Sequence, residues 1–263
     1  MLRSISLFIL CLTLPTMAVP CQLRVGWEEW FPLIHRQDDQ LTGSEYQLMQ
    51  ELATAAGCTL VFVETPWVRA LQLLKSGQLD MLYGASRSAE REAYAQFSQP
   101  YRYEQMVLVV RAPQEQPPQP MHELSLATWL AEPRSNGQRR VLGLIRGFNY
   151  GALEPLLRPQ AVPTRHLEVR WDQQLHQLLA AQRIDGYLVE ISVARAQQAV
   201  GGQPVRLWTV SEQPHEPMYL MFSRDVPHQV IKDFNEAILA RTSGSLAPHL
   251  RPDTARQRTP SHR

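Results

Sequence analysis

An alternation of strand-like and helix-like segments constrains this chain more than any other feature. Three short segments are rich in apolar and β-branched residues, as strands are: QLRVGW, TLVFVE and QLDMLYG. Between them lie two segments with helical periodicity: SEYQLMQELATAAG and PWVRALQLLKSG. Strands and helices that alternate over short connections predict a mainly parallel sheet flanked by helices, so the fold class is α/β.

The proline-rich stretch at residues 111–120 interrupts this pattern, and a second series of strand and helix segments follows it. The sequence therefore predicts two α/β lobes. Such lobes usually enclose a ligand at their junction, where the carboxyl ends of strands meet the amino ends of helices. The polar tail at residues 251–263 is predicted to be disordered.

The first residues have the pattern of a secretory signal peptide. Arg3 precedes the apolar run ISLFILCLTL, and small residues follow up to Ala18. The apolar run is too short to span a bilayer comfortably. We expect residues 1–18 to be removed after export, with cleavage following Ala18, and the mature protein to be soluble.

Export changes the interpretation of the two remaining cysteines, Cys21 and Cys58. Two cysteines in an oxidising compartment favour one disulfide. Each opens a predicted strand, and the pair can meet at one sheet edge if those strands are parallel neighbours. Two free buried thiols remain the alternative.

Charge and motifs exclude several function classes. The 26 basic and 25 acidic residues are nearly balanced, which gives no electrostatic footprint for nucleic acid or a membrane surface. The sequence contains no nucleophile elbow, zinc helix or Walker loop, and its eight histidines are scattered. We therefore expect no cofactor and no metal. A single cleft carboxylate that transfers a proton remains compatible with these patterns.

Several ordered motifs resemble the bacterial extracellular solute-binding proteins of family 3, the polar amino-acid receptors of ABC uptake systems. The resemblance covers residues 21–250 and is most specific from Pro66 to Tyr101, where three motifs recur as one unit: GQLD, SRSAER and FSQPY. It implies a two-lobed periplasmic binding protein fold of type II, with two hinge strands joining the lobes. Lobe 1 would comprise residues 19–110 and 215–250, and lobe 2 residues 111–214.

In that family the arginine of the serine-rich motif binds the ligand's carboxylate, which implies this role for Arg91. A guanidinium offers a planar fork that matches a carboxylate. Ser86 and Ser88 would add donors near a helix start, where anions are favoured. The alternative is that Ser88 caps a short helix and Arg91 lies on its surface.

The resemblance also implies two aromatic walls, Trp30 and Trp67, around the ligand's side chain. Trp67 as an ordinary core residue is the alternative. Trp27 stands where receptors for cationic amino acids often carry an acid, which counts against a lysine- or arginine-type ligand. Glu28 and Glu29 are adjacent and leave that class of ligand open.

Lobe 2 is expected to contribute through the turn RGFNYG and one acid. The resemblance implicates Arg146, Phe148 and Asn149 near the carboxylate, and Glu190 opposite the α-ammonium. The family usually has small hydroxyl residues at the positions of Phe148 and Asn149, so Phe148 narrows the site or adds an apolar wall. The alternative for Glu190 is an acid that the helix dipole favours.

The favoured function is a periplasmic binding protein, not an enzyme, that closes around a small carboxylate, an amino acid or a relative. It would deliver this ligand to an ABC permease or a sensor kinase, and we expect a monomer that binds no nucleic acid. One alternative is a dehydratase-like enzyme on the same scaffold, with Glu190 as the proton donor. The other is a signalling module whose cleft Phe148 fills.

Overall fold

The computed structural model describes residues 21–113, 121–157, 165–200, 204–213 and 215–243. The predicted signal peptide and polar tail lie outside the described residues. No helix within the described ranges is long and apolar enough to cross a membrane.

The first part of the chain forms six strands and three helices. They are β1 (Cys21–Trp27), β2 (His35–Gln37), β3 (Gln40–Thr42), α1 (Ser44–Ala55), β4 (Cys58–Glu64), α2 (Trp67–Lys75), β5 (Met81–Ala85), α3 (Ala89–Glu92) and β6 (Ala95–Glu104). The predicted strands and helices of this part are present, as is the short helix after Ser88, while the β2–β3 hairpin is additional.

The middle part forms a second series. It comprises β7 (Met106–Arg111), β8 (His122–Leu124), α4 (Leu126–Ala131), β9 (Val141–Ile145), a 3₁₀ turn (Gly151–Leu153), α5 (Glu154–Leu157), β10 (Arg165–Val169), α6 (Asp172–Ala180), β11 (Gly186–Glu190), α7 (Ile191–Val200) and β12 (Val205–Val210). The chain then returns through β13 (Glu216–Ser223) and α8 (His228–Thr242).

These strands form two large sheets and one small hairpin. The first sheet has the order β4-β1-β5-β13-β6, the second has the order β10-β9-β11-β7-β12-β8, and β2 pairs with β3. Strands β1, β4 and β5 are parallel, whereas β13 runs antiparallel to both β5 and β6. In the second sheet β9, β10 and β11 are parallel, and β7 runs antiparallel to β11 and β12. The fold is the predicted α/β two-sheet arrangement.

Helices cover both faces of each sheet, and each sheet has its own apolar core. In the first sheet, Phe222 and Phe234 lie in the core under α1 and α8, while Leu74 and Leu82 lie in a separate cluster under α2. The second sheet is likewise packed on two faces, with Tyr187 in one of its clusters. Each sheet thus has apolar clusters of its own, and Leu33 of the first part of the chain packs into one of the second sheet's clusters.

The chain crosses between the sheets twice, and the first crossing differs from the prediction. Strand β6 ends at Glu104 in the first sheet, and β7 begins at Met106 in the second. Residues 106–110 therefore pair within the second sheet, although the sequence assigned them to lobe 1, because one continuous apolar run does not show where its pairing partner changes. The second crossing lies between Val210 and Glu216, an interval that includes the predicted boundary after residue 214.

The predicted disulfide is confirmed. Cys21 and Cys58 are register partners at the start of the parallel strands β1 and β4, and their Cα atoms lie 4.5 Å apart. Cys58 is buried in the first core, so the bond fixes two strand ends against the same apolar cluster.

Candidate functional site

A cleft lies between the two sheets, at the carboxyl ends of their parallel strands. It contains about 1030 Å³ of space between atoms, part of it open to solvent. Its walls follow β1, β5, β9, β10 and β11, and include residues 26–30, 170–172 and 188–190. This is the position where open α/β sheets usually bind ligands, because strand ends and helix starts meet there.

Arg91 lies deep in this cleft with a 6% exposed surface. Its guanidinium donates to the carbonyl oxygen of Ser86 at 2.9 Å and, across the cleft, to that of Gly147 at 3.2 Å. The guanidinium carbon is 5.6 Å from the centre of the Trp67 ring. Burial lowers the pKa of Arg91 from its usual value. A guanidinium has five N–H donors, so these two hydrogen bonds leave capacity for an anion.

Two further hydrogen bonds cross the cleft at the same point. The Trp67 indole N–H donates to the carbonyl oxygen of Gly147 at 3.1 Å, and the Ser86 hydroxyl donates to that of Asn149 at 3.0 Å. Gly147 adopts φ +79°, and a Cβ there would lie 2.8 Å from a methyl group of Val68. The turn after β9 thus approaches the first sheet closely, which requires glycine.

Ser88 and Arg146 do not line the cleft. The Ser88 hydroxyl accepts from the Arg91 backbone N–H at 3.3 Å and caps α3, as the alternative interpretation held. The Arg146 side chain is 65% exposed and lies 3.8 Å from the carboxylate of Glu168. The structure brings the other predicted site residues together at the cleft: Trp30, Trp67, Ser86, Arg91, Phe148, Asn149 and Glu190.

Phe148 occupies the space between the two predicted aromatic walls. Its ring centre lies 6.2 Å from that of Trp30 and 6.1 Å from that of Trp67, edge-to-face in both pairs. Trp30 and Trp67 belong to the first lobe and Phe148 to the second, so these contacts join the lobes. The ring takes the place that the resemblance assigns to a ligand's side chain, and the cleft extends beyond it.

Glu190 ends β11 and is 8% exposed. Its Oε2 accepts from the backbone N–H groups of Ser192 at 2.7 Å and Val193 at 3.3 Å, and from the Ser192 hydroxyl. One carboxylate oxygen therefore binds the start of α7, as the alternative interpretation held. The residue also lines the cleft, so both interpretations of Glu190 fit this geometry.

Sequence reasoning missed a second acid at the same end of the cleft, Glu104. It is 6% exposed, and Arg102 donates to it at 2.6 Å. Arg102 also pairs with the buried Glu45 at 2.7 Å. Burial raises the pKa of Glu104 to about 7, with a further contribution from the charge of Glu190, while Arg102 acts in the opposite direction.

Two more acids line the cleft, Glu28 after β1 and Asp172 at the start of α6, and the charge of Asp172 acts on Glu28. Glu28 accepts from the backbone N–H of Trp67 at 3.0 Å and so caps α2. Burial raises the pKa of Glu28 to about 7 and that of Asp172 to about 6, and the charge of Glu29 also raises the pKa of Asp172. The sequence drew attention to Glu28 as one of two adjacent acids after a strand. That Glu28 caps α2 could not be predicted, because the contact depends on how α2 packs against β1.

A model of the bacterial extracellular solute-binding proteins, family 3, matches residues 23–245 of this sequence. The chain belongs to this family. Membership places this family 3 protein outside the cytoplasm, in the periplasm or secreted. A protein of Campylobacter jejuni named "Probable histidine-binding protein" is 38% identical to it over 81 residues, which are 30% of this chain and 32% of that relative. The match thus spans about a third of the relative's length.

Solved structures resemble this family 3 protein along most of its length. One is the substrate-binding protein of an amino acid ABC transporter, with a TM-score of 0.67, 16% identity and coverage of 86% of this chain and 95% of the other. Another is an ancestral arginine-binding protein bound to glutamine, with a TM-score of 0.68, 18% identity and coverage of 87% and 95%. A third is an ancestral amino acid-binding protein described as a precursor of cyclohexadienyl dehydratase, with a TM-score of 0.65, 19% identity and coverage of 86% and 91%. These identities are low, so the structures establish the type II fold.

Proposed function

We propose that this family 3 protein captures a small carboxylate, an amino acid or a derivative, between its lobes and delivers it to an ABC permease. The observation that carries this proposal is the buried guanidinium of Arg91, which stacks near Trp67 and donates to carbonyl groups of both lobes. A fixed, desolvated guanidinium in a cleft is a strong partner for a carboxylate. The amino-acid-binding neighbours agree with this class of ligand.

The two chain crossings between the sheets would act as the hinge about which the lobes close over a ligand. Arg91, Trp67 and Ser86 belong to the first sheet's half, and their hydrogen bonds reach the turn at Gly147 and Asn149 in the other half. A ligand that contacts both halves binds the closed arrangement more tightly and shifts the equilibrium toward it.

Thermal unfolding with a panel of amino acids and small carboxylates tests this proposal. A ligand at 100 times its Kd stabilises the wild type by about 2.7 kcal/mol through mass action. Arg91→Gln should lose most of this ligand-dependent shift, because the charge-assisted hydrogen bonds are removed. Arg87→Gln is the matched control, since Arg87 is exposed in the loop that precedes α3 and pairs with Glu92. A panel that leaves the wild-type midpoint unchanged would contradict the proposal.

One observation favours the enzyme as a second candidate. Glu104 combines burial in the cleft with a pKa of about 7, which suits a proton donor near neutral pH. Conversion of a bound compound, followed by NMR, distinguishes this enzyme from a receptor that returns its ligand unchanged. Glu104 replaces Glu190 as the proton donor in this second candidate.

A further inference from the structure

We infer that the hinge end of the cleft is a subsite for a cationic nitrogen of the ligand beyond its α-ammonium, formed by Glu104, Gln213 and Glu216 beside Glu190. This inference rests on the proposed function, because it names a ligand class for the same cleft. It adds residues from the two crossings between the lobes to the residues that the family resemblance implicates.

The strand pairing places two of these acids directly opposite each other. Glu104 ends β6, and Glu216 begins β13 as its antiparallel register partner. Side chains opposite each other in such a pair have Cβ atoms about 4.5–5.5 Å apart, and like charges there are destabilising. Both residues line the cleft. Glu190 is near enough that its charge acts on Glu104.

The positive charge at this end is shared. Arg102 pairs with Glu104 at 2.6 Å and with Glu45 at 2.7 Å, so one guanidinium serves two buried carboxylates. Glu190 is held by the neutral donors at the start of α7, and Glu216 accepts from the amide of Gln213 at 3.1 Å. Neutral donors orient a carboxylate without cancelling its charge. Burial raises the pKa of Glu104 and of Glu216, but since Arg102 is also paired with Glu45, the hinge end carries net negative charge even when Glu104 is protonated.

Gln213 provides an independent observation. It is 2% exposed and lines the cleft, and its Nε2 donates to Glu216. The carboxylate requires a donor, which fixes the amide orientation and leaves Oε1 as an acceptor. Within the described part of the chain this Oε1 has no hydrogen-bond partner. A buried acceptor left unpaired costs about 1–3 kcal/mol, so the site gains when a ligand supplies a donor.

These acceptors together define the chemistry of the ligand group that the subsite would bind. Three carboxylates and an amide oxygen accept hydrogen bonds and favour positive charge, as a protonated amine or a guanidinium requires. The described residues contain no cluster of three or more His, Cys, Asp or Glu side chains that could hold a metal ion. These three carboxylates are therefore not arranged to converge on a metal ion, and the proposed occupant is an organic cation.

Trp27, which counted against cationic ligands in the sequence, lines the cleft but is not one of the proposed subsite residues. Its side chain is 4% exposed, and the guanidinium of Arg36 lies 5.3 Å from its ring centre. Phe148 takes the space between Trp30 and Trp67, which leaves the hinge end available to the ligand's side chain.

Isothermal titration with matched pairs tests the subsite: L-arginine against L-citrulline, and L-ornithine against L-norvaline. Each pair keeps the α-amino acid group and differs in the side-chain charge. We expect the cationic member to bind the wild type at least tenfold more tightly. Glu216→Gln should weaken that member about ten- to hundredfold, as expected for losing a charged hydrogen-bond partner. It should leave the neutral member within twofold.

Glu123→Gln is the control, because Glu123 is exposed on β8 outside the cleft lining and its replacement removes one negative charge. Gln213→Leu serves as a second variant and should weaken the cationic member in the same direction. Equal binding of charged and neutral members would overturn the subsite and leave the proposed function intact. No binding of any α-amino acid would overturn both. Binding of 1,5-diaminopentane, abolished by Glu216→Gln, would support the subsite and contradict the carboxylate grip.

Discussion

Phe148 gives the sharpest prediction about closure, because its ring contacts cross the cleft. Replacing it with serine, a small hydroxyl residue of the kind that the family usually has there, removes two edge-to-face pairs, with Trp30 and with Trp67. Each such pair contributes about 0.5–1.5 kcal/mol beyond the buried area. The closed arrangement should therefore lose about 1–3 kcal/mol, which shifts the closure equilibrium about five- to 150-fold toward the open one.

Pulsed electron spin resonance measures this shift as populations. Spin labels on the exposed positions Val61 in the first sheet and Val200 at the end of α7 report the distance between the lobes. Without added ligand, the short-distance population should fall in Phe148→Ser relative to the wild type. Removing the Phe148 ring also enlarges the space between Trp30 and Trp67. Free L-phenylalanine should therefore bind Phe148→Ser more tightly than it binds the wild type.

The control is Phe97→Ser. Phe97 pairs edge-to-face with Tyr219 at 6.0 Å, and both residues lie in the first sheet. This variant should lower the thermal midpoint without changing the distances between the lobes. If the Phe148→Ser distances coincide with those of the wild type while its stability falls as in the control, then Phe148 is only a packing residue and the reasoning fails.

Two further predictions concern stability. Replacing Cys21 and Cys58 with serine opens a loop of sequence separation 37, which should cost about 4 kcal/mol by the loop-entropy relation and be measured by chemical denaturation; a loss below about 1 kcal/mol would contradict it. Glu104 has a pKa raised to about 7 in the folded protein, against about 4.5 in the unfolded chain. Its contribution to the free energy of unfolding is therefore complete below pH 4.5 and is lost as the pH rises through about 7. The wild type should lose up to about 3 kcal/mol more than Glu104→Gln between pH 4.5 and pH 8, and parallel stability curves would refute this.

Local sequence patterns predicted the strands and helices of the first sheet well, because the periodicity and composition that define each element lie within its own segment. The alternation can be read from the periodicity of α1 and α2 and from the composition of β1, β4 and β5. The two cysteines that open β1 and β4 indicate that they are disulfide partners. The short elements β8 and α4 were missed, since three to six residues carry too little periodicity.

The residues that form the hinge end of the cleft could not be predicted from local patterns. Glu104, Gln213 and Glu216 belong to two distant segments that meet only because the chain crosses twice between the sheets. The position of Phe148 required the turn at Gly147 to approach α2. The sequence marked Phe148 as unusual, but the contacts that explain it depend on the arrangement of both halves.

The carbonyl oxygen of Gly147 accepts from both Trp67 and Arg91, and this has a consequence for selectivity. An anion that takes the Arg91 N–H group bound to Gly147 exchanges a neutral acceptor for a charged one at that group. The gain is then the difference between a charged and a neutral acceptor. A carboxylate would benefit from this exchange, whereas an amide of the same shape would gain almost nothing. Discrimination between acids and amides at this N–H group would thus originate in charge, and because Arg91 is 6% exposed, added salt should screen it little.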